Sequence, residues 1–298
     1  MSTVAILVRP AHPKAARLAA EAALWLNDHG HEVRLLESPG KDGARGGDPL
    51  TVAELSGADL AVSLGGDGTF LRLVPLAYAA GVPVMGVNFG RLGYLLEVEP
   101  DRMITALERA VAGDAVLEDR TVLAVTVEGT LTPAPGDDRS LPDPDGGGRW
   151  WVGLNEMVVE KTVPGHMVSL STAVDGQPCL SYNADGVLVA TPTGSTAYNL
   201  SAGGPVISPR LRAMVLTPVA PHLSIGASVV MHPDQVVTVG LKEGQPAVLV
   251  VDGREVGQLA PGAAVSCRVA PEPVRFVLLG ERGFAGLLRT TLAPDQDP

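Results

Sequence analysis

Ser63-Leu64-Gly65-Gly66-Asp67-Gly68-Thr69 joins two segments of different periodicity. The residues before it, Leu60 to Leu64, form a short apolar run, as a strand buried on both faces does. After it, Phe70, Leu73, Val74 and Ala77 recur at helical spacing, which predicts a helix over Phe70 to Ala80, with Pro75 expected to kink it. Gly65, Gly66, Asp67 and Gly68 therefore fall on a strand-to-helix turn, where open α/β sheets bind their ligands. Glycines there let the backbone approach a ligand and are expected to take positive φ. The amides at the helix start suit a phosphate. Asp67 is the one carboxylate among them. Beside a polyphosphate an added anion is unfavourable, unless it takes a proton from an attacking hydroxyl or holds a metal ion. An Asp-Gly hairpin turn is the competing reading, and it fits poorly, because helical period rather than alternation follows. The stretch is neither a Walker A loop, since no Gly-Lys-Ser/Thr follows, nor a dinucleotide G-x-G-x-x-G turn.

Working outward, Val4 to Val8 reads as a first parallel strand and Pro13 to His29 as a helix with Leu18, Ala22, Trp25 and Leu26 on its apolar stripe, stopped by Gly30. His31 to Leu36 is a second strand, and Ser38 to Pro49 a Gly-rich, charged surface loop. Val82 to Asn88 is the strand after the motif, ending in a glycine-punctuated turn, Asn88 to Tyr94. Asp101 to Ala112 is helical. His12 and His29 are given no role. This β-α-β-α order predicts a doubly wound parallel sheet. From Ala115 onward the texture changes to short β-rich runs: Val122 to Val127, Trp151 to Glu160, Met167 to Val174, Val187 to Ala190, Val236 to Val239, Ala247 to Val251 and Val274 to Leu279. Their spacing predicts an antiparallel sandwich. Thr130 to Arg149, rich in Pro, Gly and Asp, is expected to be a disordered hairpin loop. Glu281 to Leu292 has helical spacing and is expected to fold back on the first domain. The expected organisation is an α/β domain over 1–113, a β-rich domain over 114–279 and a returning tail over 280–298.

With 298 residues, 46% of them apolar and only 4% aromatic, the chain is long enough for two cores. A net charge of −11 argues against nucleic acid or an anionic membrane as the main partner. An anionic substrate then needs local basic groups or a metal ion. Cys179 and Cys267 show neither metal spacing nor a disulfide framework. Met1 to Pro10 lacks the pattern of a signal peptide, and no apolar run is long enough to cross a bilayer, so a cytoplasmic location is expected.

A second informative stretch is Thr191-Pro-Thr-Gly-Ser-Thr-Ala-Tyr-Asn-Leu-Ser-Ala-Gly-Gly-Pro205. Ser195 or Thr196 is placed to N-cap a helix through Tyr198 and Leu200. Asp185-Gly186 and the apolar run Val187 to Ala190 lead into it, so strand, hydroxyl-rich turn and helix together offer a neutral, donor-rich cradle for phosphate or ribose. A plain capped helix after a loop is the alternative. Asn155-Glu156 interrupts the apolar run Trp151 to Val159. Neighbouring strand residues face opposite ways, so one of the two points inward unless the strand bulges, and a buried polar group needs partners. A strand-edge polar pair explains it equally. His166 follows Pro164-Gly165 and reads as a turn residue.

Taken together, Gly65-Gly-Asp-Gly-Thr69, Asn155-Glu156 and Asp185-Gly186 running into Thr191 to Pro205 resemble the NAD kinase family, in order and over nearly the whole chain. The first motif is shared with kinases of diacylglycerol, sphingosine and fructose 6-phosphate; Thr191 to Pro205 is far more specific. The resemblance implies a Rossmann-like α/β domain, a β-rich domain and a substrate site between them. It also implies transfer of the γ-phosphoryl of ATP to the 2′-hydroxyl of the adenosine ribose of NAD. By similarity, Asp67 is the catalytic base. The dinucleotide is lined by Asp67, Gly68, Arg72, Asn155, Glu156, His166, Asn183, Asp185 and Thr193, and then by Thr196, Ala197, Tyr198, Asn199, Leu200 and Ser201. Gly65, Gly66 and Arg254 are further assignments. No protein metal ligand is assigned; Mg²⁺ is expected on the triphosphate. A homodimer or homotetramer is implied, with Asp185 and Tyr198 able to act across an interface. Many members carry a basic residue where Asn183 stands, and Asp-Gly-Gln where this chain has Asp252-Gly-Arg254. The Thr130 to Arg149 insertion is longer than usual. A lipid kinase, a sugar-phosphate kinase and a non-catalytic dinucleotide-binding regulator are the rivals. A lipid kinase should show a basic or amphipathic membrane-facing surface and a sugar-phosphate kinase clustered Arg and His for a second phosphate, and this sequence shows neither; a regulator could dispense with Asp67, which is present.

Overall fold

The computed structural model describes residues 1–9, 12–37, 50–90, 95–137, 140–142, 148–242, 244–280 and 284–292. The chain divides into two units, Met1–Asp119 with Val274–Pro298, and Arg120–Pro273. The loop expected over 38–49, and residues 91–94 of the turn after Asn88, lie outside the described residues.

The first unit opens with β1 (Thr3–Val8), α1 (Pro13–Asp28) and β2 (Glu32–Glu37). His12 caps α1 by accepting the Ala15 N–H on Nδ1 at 3.3 Å, and Pro13 starts it, where a missing N–H is harmless. Ala15, Ala19, Ala22 and Leu26 form its buried face, with Leu18 and Trp25 partly buried beside them. Small residues on that stripe bring the helix close to the sheet. β3 (Leu60–Gly65) is buried along its whole length. It runs into α2 (Asp67–Ala80), a single helix that passes through Pro75 and ends at Gly81, whose φ of 68° suits a residue without Cβ. β4 (Val84–Asn88), a short 3₁₀ turn over Pro100–Arg102, α3 (Met103–Ala112) and β5 (Val116–Arg120) follow.

Among its described residues, the second unit is all β apart from one short helical stretch over Gly194–Thr196 and Tyr198–Ser201. In chain order come β6 (Leu123–Glu128), β7 (Leu131–Pro133), β8 (Leu141–Pro142), β9 (Arg149–Gly153) and β10 (Glu156–Lys161). Next are β11 (Val168–Val174), β12 (Gln177–Ala184), β13 (Gly186–Ala190) and α4 (Tyr198–Ser201). Then come β14 (Met214–Val219), β15 (Val229–Met231), β16 (Val237–Leu241), β17 (Ala247–Val251), β18 (Arg254–Leu259) and β19 (Ala264–Val269). They form two antiparallel sheets, ordered β15-β14-β13-β10-β17-β18-β7 and β12-β11-β16-β19-β6-β9-β8. The inner faces share one core, to which Leu123, Val125 and Trp151 come from one sheet and Met157, Val159, Val187, Val189 and Leu249 from the other. This is the expected sandwich.

The chain then returns to the first unit. β20 (Val274–Leu278) pairs in parallel with β4, giving a six-stranded sheet ordered β2-β1-β3-β4-β20-β5. Val274 to Leu279 thus belongs to the parallel sheet rather than to the β-rich set in which its sequence placed it. Phe276 packs edge-on against Phe70 of α2 at 5.1 Å, so the return strand is part of that core. α5 (Phe284–Leu292) closes the described chain.

Two other expectations change. Trp151 to Glu160 is not one strand: β9 lies in one sheet and β10 in the other, and Leu154-Asn155 is the corner between them. The polar pair marks the place where the chain crosses the sandwich. The Thr130 to Arg149 insertion is not structureless in its described parts. β7 extends one sheet beside β18 and β8 extends the other beside β9. Trp150 Nε1 donates to the Pro142 carbonyl at 3.0 Å and Trp151 Nε1 to Asp137 Oδ2 at 2.8 Å, so the two tryptophans pin it at their polar tips.

Candidate active site

In the first unit, β1 lies between β2 and β3, so the strand order reverses at the carboxyl ends of β1 and β3. This is the switch point at which doubly wound sheets leave a crevice. Gly65 ends β3, Gly66 is the N-cap of α2, and Asp67 is its first residue. The helix therefore starts three residues earlier than its apolar period indicates. None of Gly65, Gly66 and Gly68 has positive φ; Gly66 is extended at φ −96°, ψ −176°. Their smallness serves space instead. A Cβ on Gly65 would overlap the Thr69 side chain, whereas Cβ atoms on Gly66 and Gly68 would meet nothing within 4 Å. Gly65 is needed for the turn to close, and Gly66 and Gly68 leave open room beside Asp67.

Burial raises the Asp67 pKa above the ordinary carboxylate value of 3.8. The position at the helix start favours the anion, and desolvation outweighs it. The turn after β4 is tied to the elbow, since the Phe89 N–H donates to the Gly65 carbonyl at 2.9 Å and the Gly90 N–H to Asn88 Oδ1 at 2.9 Å. Beside it a cleft of about 790 Å³ is lined by His12, Lys14, Arg17, Asn88, Phe89 and Asp101, among others. Arg72, partly buried, lies one turn beyond Gly68 on α2. Among the described residues no three His, Cys, Asp or Glu side chains group to hold a metal ion.

In the second unit, the corner at Leu154-Asn155 is bound to the hydroxyl-rich turn and to the Asp252-Gly-Arg254 segment, where the sequence reading gave Asp252 itself no role. Asp252 lies between β17 and β18, with Gly253, in a two-residue hairpin; the φ values of 50° and 68° are those of a type I′ turn. Its side chain is 6% exposed and accepts three successive main-chain N–H bonds, from Leu154 (2.8 Å), Asn155 (2.7 Å) and Glu156 (3.2 Å). The Thr191 N–H donates to the Asn155 carbonyl at 2.8 Å, and Thr191 Oγ1 donates to the Leu154 carbonyl at 2.5 Å while accepting the Gly194 N–H at 3.0 Å. Gly194 lies so close that a Cβ there would overlap the Asn155 backbone.

Strand alternation sets what the corner presents. Met157 and Val159 enter the sandwich core, so Glu156, Val158 and Glu160 share the opposite face. Val158, with Leu188 and Ala190, packs under Ala202 just beyond α4. Glu156 is 5% exposed, lies under the influence of the Tyr198 main-chain N–H, and leaves Oε2 buried with no hydrogen-bond partner among the described residues. Burial, then the nearby Asp252 charge, pushes its pKa up to about 8. Glu160 is raised by burial and by Asp185, and Lys161 opposes it. Asp185 itself receives the Lys161 Nζ at 2.6 Å. The half-exposed Tyr198 hydroxyl is raised by burial, then by Glu160, Asp185 and Glu156.

The turn's hydroxyls do not cap a helix. Ser195 Oγ donates to the Pro192 carbonyl at 2.6 Å and accepts the Ile207 N–H at 2.9 Å, and Thr196 Oγ1 donates to the Thr193 carbonyl at 3.3 Å. Gly194–Thr196 is a 3₁₀ turn, and Ala197 stands at the N-cap of α4 with no side-chain cap. Buried Asn199 is an internal staple: Nδ2 donates to the Ser195 and Pro205 carbonyls, both at 3.0 Å, and Oδ1 accepts Thr217 Oγ1 at 2.8 Å. Leu200 is partly buried and Ser201 exposed. Thr193 is buried and 3.5 Å from Arg120 Nη1, a basic neighbour that the sequence reading passed over.

The remaining expected residues are more peripheral. His166 is exposed, its N–H donating to the Val163 carbonyl in a turn. Asn183 is exposed near the end of edge strand β12, with Oδ1 accepting Ser169 Oγ at 2.6 Å. Arg254 opens β18 and is partly buried.

Residues 4–115 match the family described as the ATP-NAD kinase N-terminal domain, and residues 154–279 match the ATP-NAD kinase C-terminal domain. An NAD kinase of Heliobacterium modesticaldum is 36% identical over 292 residues, spanning 97% of this chain and 98% of that protein. NAD kinase 2 of Streptomyces coelicolor is 36% identical over 292 residues, spanning 96% and 92%. Among solved structures, an NAD kinase from Archaeoglobus fulgidus in complex with ATP superposes with a TM-score of 0.72 at 25% identity, over 97% of this chain and 99% of that one. Yeast NADH kinase complexed with NADH superposes with a TM-score of 0.81 over 100% and 89%; at 22% identity it bears on the fold alone.

Proposed function

This chain belongs to the NAD kinase family, and on that premise we propose that it transfers the γ-phosphoryl of ATP to the 2′-hydroxyl of the adenosine ribose of NAD, giving NADP and ADP. The observation that carries the reading is Asp67, a carboxylate at the first position of α2 on a glycine elbow with open room beside it.

A ribose hydroxyl is a weak nucleophile, and its proton must leave as the new P–O bond forms. Asp67 accepts that proton. Burial raises its pKa and so makes it a stronger base than an exposed aspartate, and such a base contributes about 10²–10⁴-fold. The rest of the acceleration comes from alignment and from neutralising charge on the moving phosphoryl. The main-chain N–H groups at the start of α2, with Gly68 and Arg72, face the phosphates. Mg²⁺ bound to the triphosphate supplies electrostatic neutralisation. On the second unit, Asn155 and Glu156 hold polar edges of the dinucleotide, with His166, Asn183, Asp185, Thr193 and Thr196 to Ser201 completing the binding set. Gly65, Gly66 and Arg254 support it. Asp252 is added here as the residue that fixes the Asn155-Glu156 corner. The working form is a homodimer or homotetramer in the cytoplasm; among the described residues, no helix is long and apolar enough to cross a membrane.

The test is purified protein with ATP, NAD and Mg²⁺, read through an NADP-specific dehydrogenase. Sustained NADP formation is expected. A flat trace with native, NAD-binding protein would favour a dinucleotide-binding regulator.

A further inference from the structure

Glu156 poses a problem that the family assignment leaves open. It is a carboxyl group 5% exposed, beside a second buried carboxyl, Asp252, in the binding region of an anionic dinucleotide. Asp252 is held as an acceptor by the three N–H groups of Leu154, Asn155 and Glu156, an arrangement that stabilises its anion. Two adjacent buried anions are unfavourable, and with Asp252 held as the acceptor it is the Glu156 carboxyl whose pKa is pushed up, to about 8, by burial and then by Asp252. The Tyr198 main-chain N–H acts on the carboxyl group, while Oε2 is buried and, among the described residues, has no hydrogen-bond partner. A buried polar atom left so costs about 1–3 kcal/mol, which a correctly placed ligand atom would offset.

Resting on the proposed function, we infer that Glu156 binds the dinucleotide as a neutral carboxylic acid, donating a hydrogen bond from its buried oxygen to an acceptor atom of NAD, with Asp252 as the residue that keeps it protonated and in position. A carboxylate in the same place would have nothing to donate and would repel the diphosphate. The groups acting on Glu156 are Asp252, from the β17–β18 turn, and Tyr198, from α4, and burial sets the direction they reinforce or oppose. Glu160 and Asp185 act on Tyr198 in turn, and Lys161 pairs with Asp185. The acidic surroundings favour retention of the proton at Glu156.

The experiment is calorimetric titration of the full chain with NAD alone, which leaves the chemistry at Asp67 out of the readout. Titrations run from about pH 6.5 to 9.5 in buffers of different ionisation enthalpy. The expected Kd rises above about pH 8 by close to tenfold per unit, the slope for one required proton. Near pH 9 each NAD bound takes up close to one proton. Glu156→Gln, a neutral donor of similar shape, is expected to abolish both the slope and the uptake, and so to bind about tenfold more tightly than the parent at pH 9. NAD binding at pH 7 without proton uptake at pH 9, or a Gln variant weaker than the parent at pH 9, overturns this inference and leaves the kinase reading standing. Failure of the parent to bind NAD at pH 7 overturns both.

Discussion

Asp67 sits where two effects oppose each other. The start of α2 favours its charge, burial disfavours it, and burial prevails. Asp67→Asn removes the proton acceptor while keeping size and polarity. We expect turnover to fall at least about 10²-fold with NAD affinity retained, measured by the coupled assay and by calorimetry. Full turnover in that variant would take the base role away from Asp67. Glu156 yields a stability prediction. Its carboxyl titrates near 4.5 unfolded and about 8 folded. Between those values the unfolded chain has released a proton that the native chain retains. This group therefore lowers stability by about 1.4 kcal/mol for each unit of rising pH, and the effect levels above about 8. Glu156→Gln removes that slope, so its denaturant midpoint is expected to gain on the parent's steadily from about pH 5 to 8. A difference independent of pH would mean that Glu156 is ionised in the folded chain. Asp252→Ala leaves three N–H groups at the corner without their acceptor and is expected to cost about 2–4 kcal/mol.

At the level of elements, the glycines separate by what surrounds them. Gly66→Ala adds a methyl where nothing lies within 4 Å, in a backbone conformation open to alanine. It is expected to leave the melting temperature nearly unchanged and to lower turnover by filling room beside Asp67. Gly65→Ala and Gly194→Ala drive a methyl into the Thr69 side chain and the Asn155 backbone. Each is expected to lower stability by about 1–3 kcal/mol in chemical denaturation, and a Gly66→Ala loss as large as theirs would contradict the distinction. The same contrast explains what was legible. Leu60 to Leu64 and the helix after it could be read because a buried strand and an amphipathic helix leave local patterns. The role of Asp-Gly could not be read from the dipeptide. At Asp67-Gly68 it starts a helix, at Asp175-Gly176 and Asp252-Gly253 it makes hairpin turns with both φ values positive, and at Asp185-Gly186 it leads into β13. The Asn155-Glu156 pair was visible as an anomaly, but its cause is a crossing between sheets fixed by a side chain 97 positions away from Asn155. No local window contains that information.

At the level of the whole molecule, chain order and spatial order diverge at one strand. The run Val274 to Leu279 resembles its β-rich predecessors in composition, yet β20 is inserted between β4 and β5 of the parallel sheet. Pairing partners are set by topology, which local texture does not encode. Val277 and Leu279 belong to the same core cluster as Val4, Ile6 and Val62, and Phe276 is 3% exposed against Phe70. A fragment ending at Asp119 therefore lacks an interior strand, leaving both β4 and β5 with an open edge and an apolar gap. By contrast, every buried residue of the sandwich core lies between Leu123 and Val269. Expressed separately, residues 120–273 are expected to unfold cooperatively, and residues 1–119 to aggregate or remain unfolded. A short linker joining residue 119 to residue 274 is expected to restore a cooperative transition to the first unit. Chemical denaturation followed by circular dichroism on the three fragments is the measurement. A stable, cooperative 1–119 fragment would show that β20 is an ornament of that sheet rather than one of its structural members.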